Sequence, residues 1–380
     1  MPTKKNNDVL QIENQIMLWE IQEGVGYKHK MPKNVRGISL FTGAGGMDVG
    51  FKNAGINVIL ANELVQYACD TYEANHPDTK LLRGDIKDFM DEFTEGCADI
   101  VFGGPPCQGF SVAGKMDPND ERSQLIWTFL DVIERVRPKV FVMENVKALG
   151  TLEKWKPVRD RYLERTRALG YCCHYFVINS YDSGVSQNRE RVFFIGSQNE
   201  YEPAAFLLEL NKQKKKPLSL RQLLSSLPAA GSDRNPLTCT AKITLAANPV
   251  LRRSPYAGMI FNGLGRPLNL DGVSATLPAS MGGNKTPIID SKLLDDPNAH
   301  DWVVDYHSKL WNKLIEPKFG PAPERLRRLT ILEAATIQSF PPDYKFCGSK
   351  SAIYTQIGNA VPCKMAESVA KAVINFFFEE

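Results

Sequence analysis

The chain has 380 residues, enough to bury a large core and to form two domains or one domain with a substantial insertion. Its hydrophobic fraction of 43% and charged fraction of 23% exclude wholesale disorder, and no apolar run approaches the roughly 18 residues that span a membrane. The net charge of +3 selects no polyanion by itself, but between Ser197 and Thr330 there are 18 Lys and Arg against 12 Asp and Glu, an excess that hints at nucleic acid.

The start, Met1-Pro2-Thr3-Lys4-Lys5, lacks the apolar core of a secretion signal, so the expected compartment is the cytosol. The eight cysteines form no CxxC pair and have no His at ligand spacing, which gives no support to a disulfide framework or to any metal site. Within an N-terminal extension over 1–35, Ile12, Ile16, Leu18 and Trp19 predict a short amphipathic helix.

The first strong unit follows. Ile38-Ser39-Leu40-Phe41 reads as a strand, Thr42-Gly43-Ala44-Gly45-Gly46 as a glycine turn and 47–54 as the start of a helix. Such an opening binds nucleotides, because a turn without side chains lets a cofactor approach the backbone at a helix N-terminus. A second strand ends in Glu63, placed to accept both hydroxyls of a ribose. A third ends at Arg83-Gly84-Asp85, where Asp85 either accepts from an adenine amino group or caps the segment beginning at Ile86.

The fourth strand, Asp99-Ile100-Val101-Phe102, breaks at Gly103-Gly104-Pro105-Pro106-Cys107-Gln108-Gly109-Phe110-Ser111. Two prolines restrict the backbone leading into a single thiol, which suits a nucleophile as well as a small buried hydrophobe. Residues 112–122 read as a loop, and a helix over 123–137 is stopped by Pro138. A fifth strand carries Glu144, so two parallel strands place Cys107 and Glu144 at one sheet edge, where open α/β folds bind ligands. A helix over 158–169 and an alternating run over 172–178 precede Gln187-Asn188-Arg189-Glu190-Arg191. Arg189 and Arg191, two apart before a strand, are predicted to face one anion.

After Gly196 the chain becomes richer in Pro and Gly, with a lysine cluster at 212–216, and reads as a separate module over 201–327. In it Arg252, Arg253, Asn262 and Arg266 sit among glycine and proline turns, residue types that reach base edges and phosphates. Thr330-Ile331-Leu332-Glu333 has the form of a capping box. Gln356-Ile357-Gly358-Asn359-Ala360-Val361-Pro362 precedes a last helix, so that 328–380 returns to the first domain, over 36–200, and Asn359 can turn toward the cofactor.

Five signatures in this order resemble the cytosine-C5 DNA methyltransferases of bacterial restriction-modification systems: Phe41-Thr42-Gly43-Ala44-Gly45-Gly46, Pro105-Pro106-Cys107-Gln108, Glu144-Asn145-Val146, Gln187-Asn188-Arg189-Glu190-Arg191 and Gly358-Asn359-Ala360-Val361-Pro362. The resemblance covers 38–195 and 328–373. It implies an α/β fold: a Rossmann-like S-adenosylmethionine-dependent methyltransferase sheet with helices on both faces, plus a smaller irregular target recognition domain over 201–327. S-adenosylmethionine is the implied cofactor, held by Phe41, Gly43, Gly45, Gly46, Glu63, Asp85, Pro105 and Asn359. Cys107 is the implied nucleophile toward cytosine C6, Glu144 the acid at N3, and Arg189 and Arg191 the residues that hold the base in register. Double-stranded DNA is the implied partner of a monomeric enzyme, met by Gln108, Ser111, Arg122, Arg252, Arg253 and Arg266. A cognate restriction endonuclease would share its site without a stable complex.

The chain departs from the family in two places. Leu64 stands where many members carry an aromatic that stacks on adenine, and Ala113 where some carry a second small hydroxyl residue. The rivals are a tRNA cytosine-5 methyltransferase on the same scaffold, a catalytically silent DNA-binding relative, and a nicotinamide dehydrogenase, for which the Pro-Pro-Cys platform has no use.

Overall fold

The computed structural model describes residues 34–106 and 124–378. The N-terminal helix expected around Ile12 and the site candidates Cys107, Gln108, Ser111 and Arg122 lie outside the described residues.

Short β-branched and aromatic runs, each cut by Gly, Pro or a polar cluster, give the first half its strands. In chain order these elements are β1 (Arg36–Leu40), α1 (Gly46–Asn53), β2 (Asn57–Glu63), α2 (Gln66–Asn75), β3 (Lys80–Arg83) and β4 (Ile100–Gly103). They continue with α3 (Leu125–Val136), β5 (Val140–Val146), α4 (Lys147–Thr151), α5 (Lys156–Ala168), β6 (Cys172–Asn179), β7 (Gln187–Asn188) and β8 (Glu190–Ser197). Seven of the strands form one sheet in the order β3-β2-β1-β4-β5-β8-β6. β1 to β5 run parallel, and β8 is antiparallel to both neighbours.

Alternation along each strand feeds two cores. Phe102, Val140, Val142, Phe193 and Ile195 pack on one face with Phe51 of α1. Val101, Phe141, Met143, Val192 and Phe194 pack on the other with Ile126, Phe129 and Ile133 of α3 and Tyr162 of α5. The fold is therefore the expected three-layer α/β sheet with helices on both faces. The strand order reverses between β1 and β4, which opens a crevice outside their C-terminal ends.

Beyond Ser197 the elements shorten: α6 (Pro203–Lys212), α7 (Leu220–Ser225), β9 (Thr244–Val250), β10 (Met259–Phe261), β11 (Ser274–Ala275), β12 (Ile288–Asp290), α8 (Ser291–Asp295), α9 (Trp302–Trp311), β13 (Gly320–Pro321) and β14 (Leu326–Arg328). A small core of Ile260, Phe261, Ile288, Val303, Tyr306, Leu310 and Leu326 holds this region, around a three-stranded sheet β10-β9-β13. β11 pairs in parallel with β7, which ties the region to the rim of the large sheet.

The chain then returns through α10 (Ile331–Ile337), α11 (Lys350–Asn359) and α12 (Cys363–Phe377). The capping box at Thr330 forms as expected: its hydroxyl accepts from Glu333 N at 3.1 Å and Glu333 Oε2 accepts from Thr330 N at 2.9 Å. Met365, Val369, Ala370 and Val373 of α12 complete the core on the α1 face of the sheet.

Candidate active site

Three strand ends and one turn converge on the crevice. Phe41 leaves β1 at φ 56°, a left-handed conformation unusual for a non-glycine residue, and begins the 42–46 turn. Gly43 N–H donates to Glu63 Oε2 at 2.8 Å and Val65 N–H donates to Glu63 Oε1 at 2.8 Å, so the acid closing β2 is bonded to the turn across from it. Burial raises the Glu63 pKa, and the Val65 and Gly43 amides oppose that rise. Each carboxylate oxygen keeps a second lone pair for a ligand hydroxyl. Leu64, the next residue, is 65% exposed and offers an apolar surface at the same edge.

Asp85 ends the third strand's connection, and its side chain accepts from Lys87 N at 3.0 Å, the capping geometry anticipated for it. Asn359, the last residue of α11, is exposed, and its carbonyl accepts from Arg189 Nη2 at 3.3 Å.

β4 and β5 are in parallel register, Gly103 opposite Met143, which brings the backbone after Gly103 against Glu144. A Cβ on Gly104 would lie 2.8 Å from Glu144 Oε2, so only glycine allows the carboxylate this approach. Asn145 donates from Nδ2 to the Pro105 carbonyl at 3.2 Å, fixing the first of the two prolines that lead into Cys107. Arg191 Nε sits 2.9 Å from Glu144 Oε1. Burial raises the Glu144 pKa, and the charges of Arg191 and Arg189 partly offset it. A carboxyl poised in this way can hold or release a proton toward a ring nitrogen.

The two arginines were expected to face one anion side by side. Arg191 does so directly, whereas Arg189 acts on Glu144 through its charge and sends its guanidinium elsewhere: to the carbonyls of Leu277 at 3.2 Å and Gly358 at 2.8 Å. The reason is the break between β7 and β8, where Arg189 N–H donates to Ser180 Oγ at 3.2 Å and takes the residue out of regular pleat. Arg189 thereby joins the 201–327 region and the return segment to the sheet edge.

Of the other buried groups at this junction, Gln187 entered the sequence reading only as part of a signature, with no role of its own, and Gln338 not at all. Gln187 Nε2 donates to Gln338 Oε1 at 2.9 Å, Gln187 Oε1 accepts from Leu277 N at 2.9 Å, and Gln338 Nε2 donates to Ile357 O at 2.6 Å. Polar residues embedded in apolar surroundings are the one signal that could have marked them. Arg252, Arg253 and Arg266 are exposed, and among the described residues none of the three is in an ion pair. They are not part of the crevice network described above.

A family model described as C-5 cytosine-specific DNA methylase matches residues 35–375. The Type II methyltransferase M.FnuDI of Fusobacterium nucleatum is 32% identical over 344 residues, covering 88% of this chain and 93% of that protein. M1.HphI of Haemophilus parahaemolyticus is 31% identical over 350 residues, covering 89% and 86%. Among solved structures, S. pombe Dnmt2 methyltransferase superposes with a TM-score of 0.62 at 16% identity, over 90% of this chain and 99% of that one. The Entamoeba histolytica methyltransferase EhMeth gives 0.58 at 16% identity, over 90% and 98%. The last two likenesses concern the fold.

Proposed function

The chain belongs to the C-5 cytosine-specific DNA methylase family, and from that membership we propose that it methylates C5 of a flipped cytosine in duplex DNA through a covalent bond between Cys107 and C6. The observation that carries the reading is Glu144, buried, ion-paired with Arg191 and pressed against the Gly104-Pro105 backbone that leads into Cys107. S-adenosylmethionine, when bound, supplies the methyl group. The residues suited to hold it are Phe41, the glycine turn, Glu63 for the ribose, Asp85 for the adenine amino group, and Asn359.

Cytosine C5 is a poor nucleophile. Attack of the Cys107 thiolate on C6 makes the ring an enamine, and covalent catalysis thereby divides one difficult step into easier ones. Glu144 supplies a proton at N3 as negative charge develops, and Arg191 holds that carboxyl in place. Once C5 carries the methyl group, a base takes the C5 proton, the C5–C6 double bond re-forms and the Cys107 sulfur leaves as thiolate. A stacked base cannot present C6 to a thiolate, so the cytosine is extruded, at a cost of a few kcal/mol.

The 201–327 region, with Arg252, Arg253 and Arg266, is the proposed reader of the DNA sequence, joined by Gln108, Ser111 and Arg122 at the extruded base. The Type II relatives support a modification role paired with a restriction endonuclease that reads the same sequence.

A duplex carrying 5-fluorocytosine at the target tests the chemistry, because fluorine cannot leave as a proton and the adduct is trapped. Wild type forms a denaturant-stable complex in the presence of the methyl donor. Cys107→Ser forms none and transfers no label. Turnover retained in Cys107→Ser sinks the mechanism, and labelling of tRNA in place of duplex DNA overturns the substrate.

A further inference from the structure

The 42–46 turn has two unlike sides. Among the described residues, a Cβ on Gly43 would meet nothing within 4 Å, so none of them covers this side. A Cβ on Gly45, whose φ is 78°, would lie 2.5 Å from His76 Nε2 and 2.8 Å from Tyr344 Oη, so the opposite side is sealed by side chains. Gly45 N–H donates to the Thr42 carbonyl at 3.0 Å, and the Tyr344 hydroxyl donates to the carbonyl of Ala44 between them.

Tyr344 reaches the turn from the far end of the chain by a set of side-chain bonds to backbone. Asn75, the last residue of α2, accepts from Lys345 N at 2.9 Å and donates to Lys345 O at 2.8 Å. Thr71 Oγ1 accepts from Cys347 N at 2.8 Å. Phe340 and Phe346 pack against the Tyr344 ring with centroids at 4.8 and 5.3 Å. Behind the hydroxyl lies His76, its Nε2 3.1 Å away.

The one phenolic proton is committed to Ala44, so Nε2 must be the donor to Tyr344 and Nδ1 carries no proton. Nδ1 is buried and has no hydrogen-bond partner among the described residues, as that tautomer tolerates. The His76 ring in turn rests on Tyr72, centroids 4.4 Å apart, and the Tyr72 hydroxyl donates to Asp48 Oδ1 at 2.8 Å while Ser39 Oγ donates to Asp48 Oδ2 at 3.0 Å. The support is thus anchored in β1 and α1, the two elements that flank the turn.

We propose that Tyr344, backed by His76, is a positioning residue for the methyl donor: it fixes the 42–46 turn from behind, so that residues 344–347 set the affinity for S-adenosylmethionine. The inference rests on the reading that this turn holds the donor. Neither side chain touches the reacting atoms, and the pair acts on donor binding rather than on the methylation step.

The test is calorimetric titration of the full chain with S-adenosylmethionine, together with steady-state kinetics on duplex DNA, for wild type, Tyr344→Phe, His76→Leu and His76→Gln. Removing the phenol strands the Ala44 carbonyl and the His76 N–H, a loss of buried hydrogen bonding that weakens donor binding about tenfold. The same factor appears in KM for the donor, while kcat at saturating donor and KM for DNA stay within about twofold of wild type. His76→Leu reproduces the effect and the two changes together add nothing further, because they break one network. His76→Gln keeps a donor N–H and recovers most of the affinity lost in His76→Leu.

Wild-type donor affinity in a folded Tyr344→Phe overturns the inference. So does a fall in kcat at unchanged donor affinity, or an equal loss of donor and DNA binding with a lowered melting temperature. Failure of the wild-type chain itself to bind S-adenosylmethionine overturns the reading of the turn, and is told apart because it needs no variant.

Discussion

His76 and Asp48 stand one residue apart in the same buried network, at Tyr72, and their surroundings push them in opposite directions. Burial, with Lys52 nearby, lowers the His76 pKa from 6.5 to about 3. Burial also raises the Asp48 pKa from 3.8 to about 6, against hydrogen bonds from Tyr72 and Ser39 and the charge of Lys52. The signs follow by linkage. The unfolded chain protonates His76 below 6.5 and the folded chain does not, so that contribution is present above 6.5 and is lost as pH falls toward 3. The folded chain keeps the Asp48 proton up to about 6, so its contribution is present below 3.8 and is lost as pH rises through 6. Between about 6 and 4 the two slopes oppose and nearly cancel. His76→Gln removes one of them. The stability difference between wild type and this variant is therefore expected to shift toward the variant by about 2 kcal/mol between pH 7 and 5, from 1.4 kcal/mol per pH unit. Urea unfolding at both pH values measures it, and a constant difference would show that His76 titrates normally. None of this was legible in the sequence, where His76 is one of five histidines with no distinguishing neighbour. The positions of Glu63, Asp85 and Glu144 were legible, because each lies at or near the end of a short strand that the next turn marks.

Elements followed the same division. Strands β1 to β5 were visible because hydrophobic runs bounded by Gly, Pro or polar residues encode both their position and, through intervening helices, their parallel order. The direction of β8 was not, since a period of two reads the same from either end. Capping of α10 was visible because its signal is local. Thr330 does more than the capping box states: its hydroxyl also donates to Asn235 Oδ1 at 2.6 Å, joining the helix start to the 201–327 region. Thr330→Ala removes both bonds and is expected to cost about 1–2 kcal/mol, with Thr330→Ser recovering most of it. Denaturant midpoints of the three proteins decide this, and an Ala variant equal to wild type would mean that water replaces the hydroxyl. By contrast, the clasp of Asn75 on Lys345 spans 270 residues, and no local pattern announces a partner at that distance.

At the scale of the molecule, chain order and spatial order disagree, and the disagreement is what completes the site. The sheet face that carries Phe102, Val142 and Phe193, with Phe51 of α1 against it, gains Met365, Val369, Ala370 and Val373 only when α12 arrives, after the whole 201–327 region has been made. The same return segment delivers Tyr344 to the glycine turn and the Gly358 and Asn359 carbonyls to Arg189. Packing, the glycine turn and the buried arginine are thus all finished by 328–380, and the first half cannot hold its cleft in advance of it. A chain ending at Pro362 keeps Tyr344, Gly358 and Asn359 but loses α12, exposing to water the part of this face, beside α1, that α12 covers. Burying a large apolar side chain contributes about 1.5–3 kcal/mol, and the loss of several is comparable with the roughly 5–15 kcal/mol that separates a folded domain from its unfolded chain. This truncation is expected to abolish the cooperative thermal transition seen by circular dichroism and to abolish binding of S-adenosylmethionine with it. If the shortened chain unfolded cooperatively at the wild-type temperature, the first half would possess a core of its own, and the return segment would be a cover over a cleft already formed.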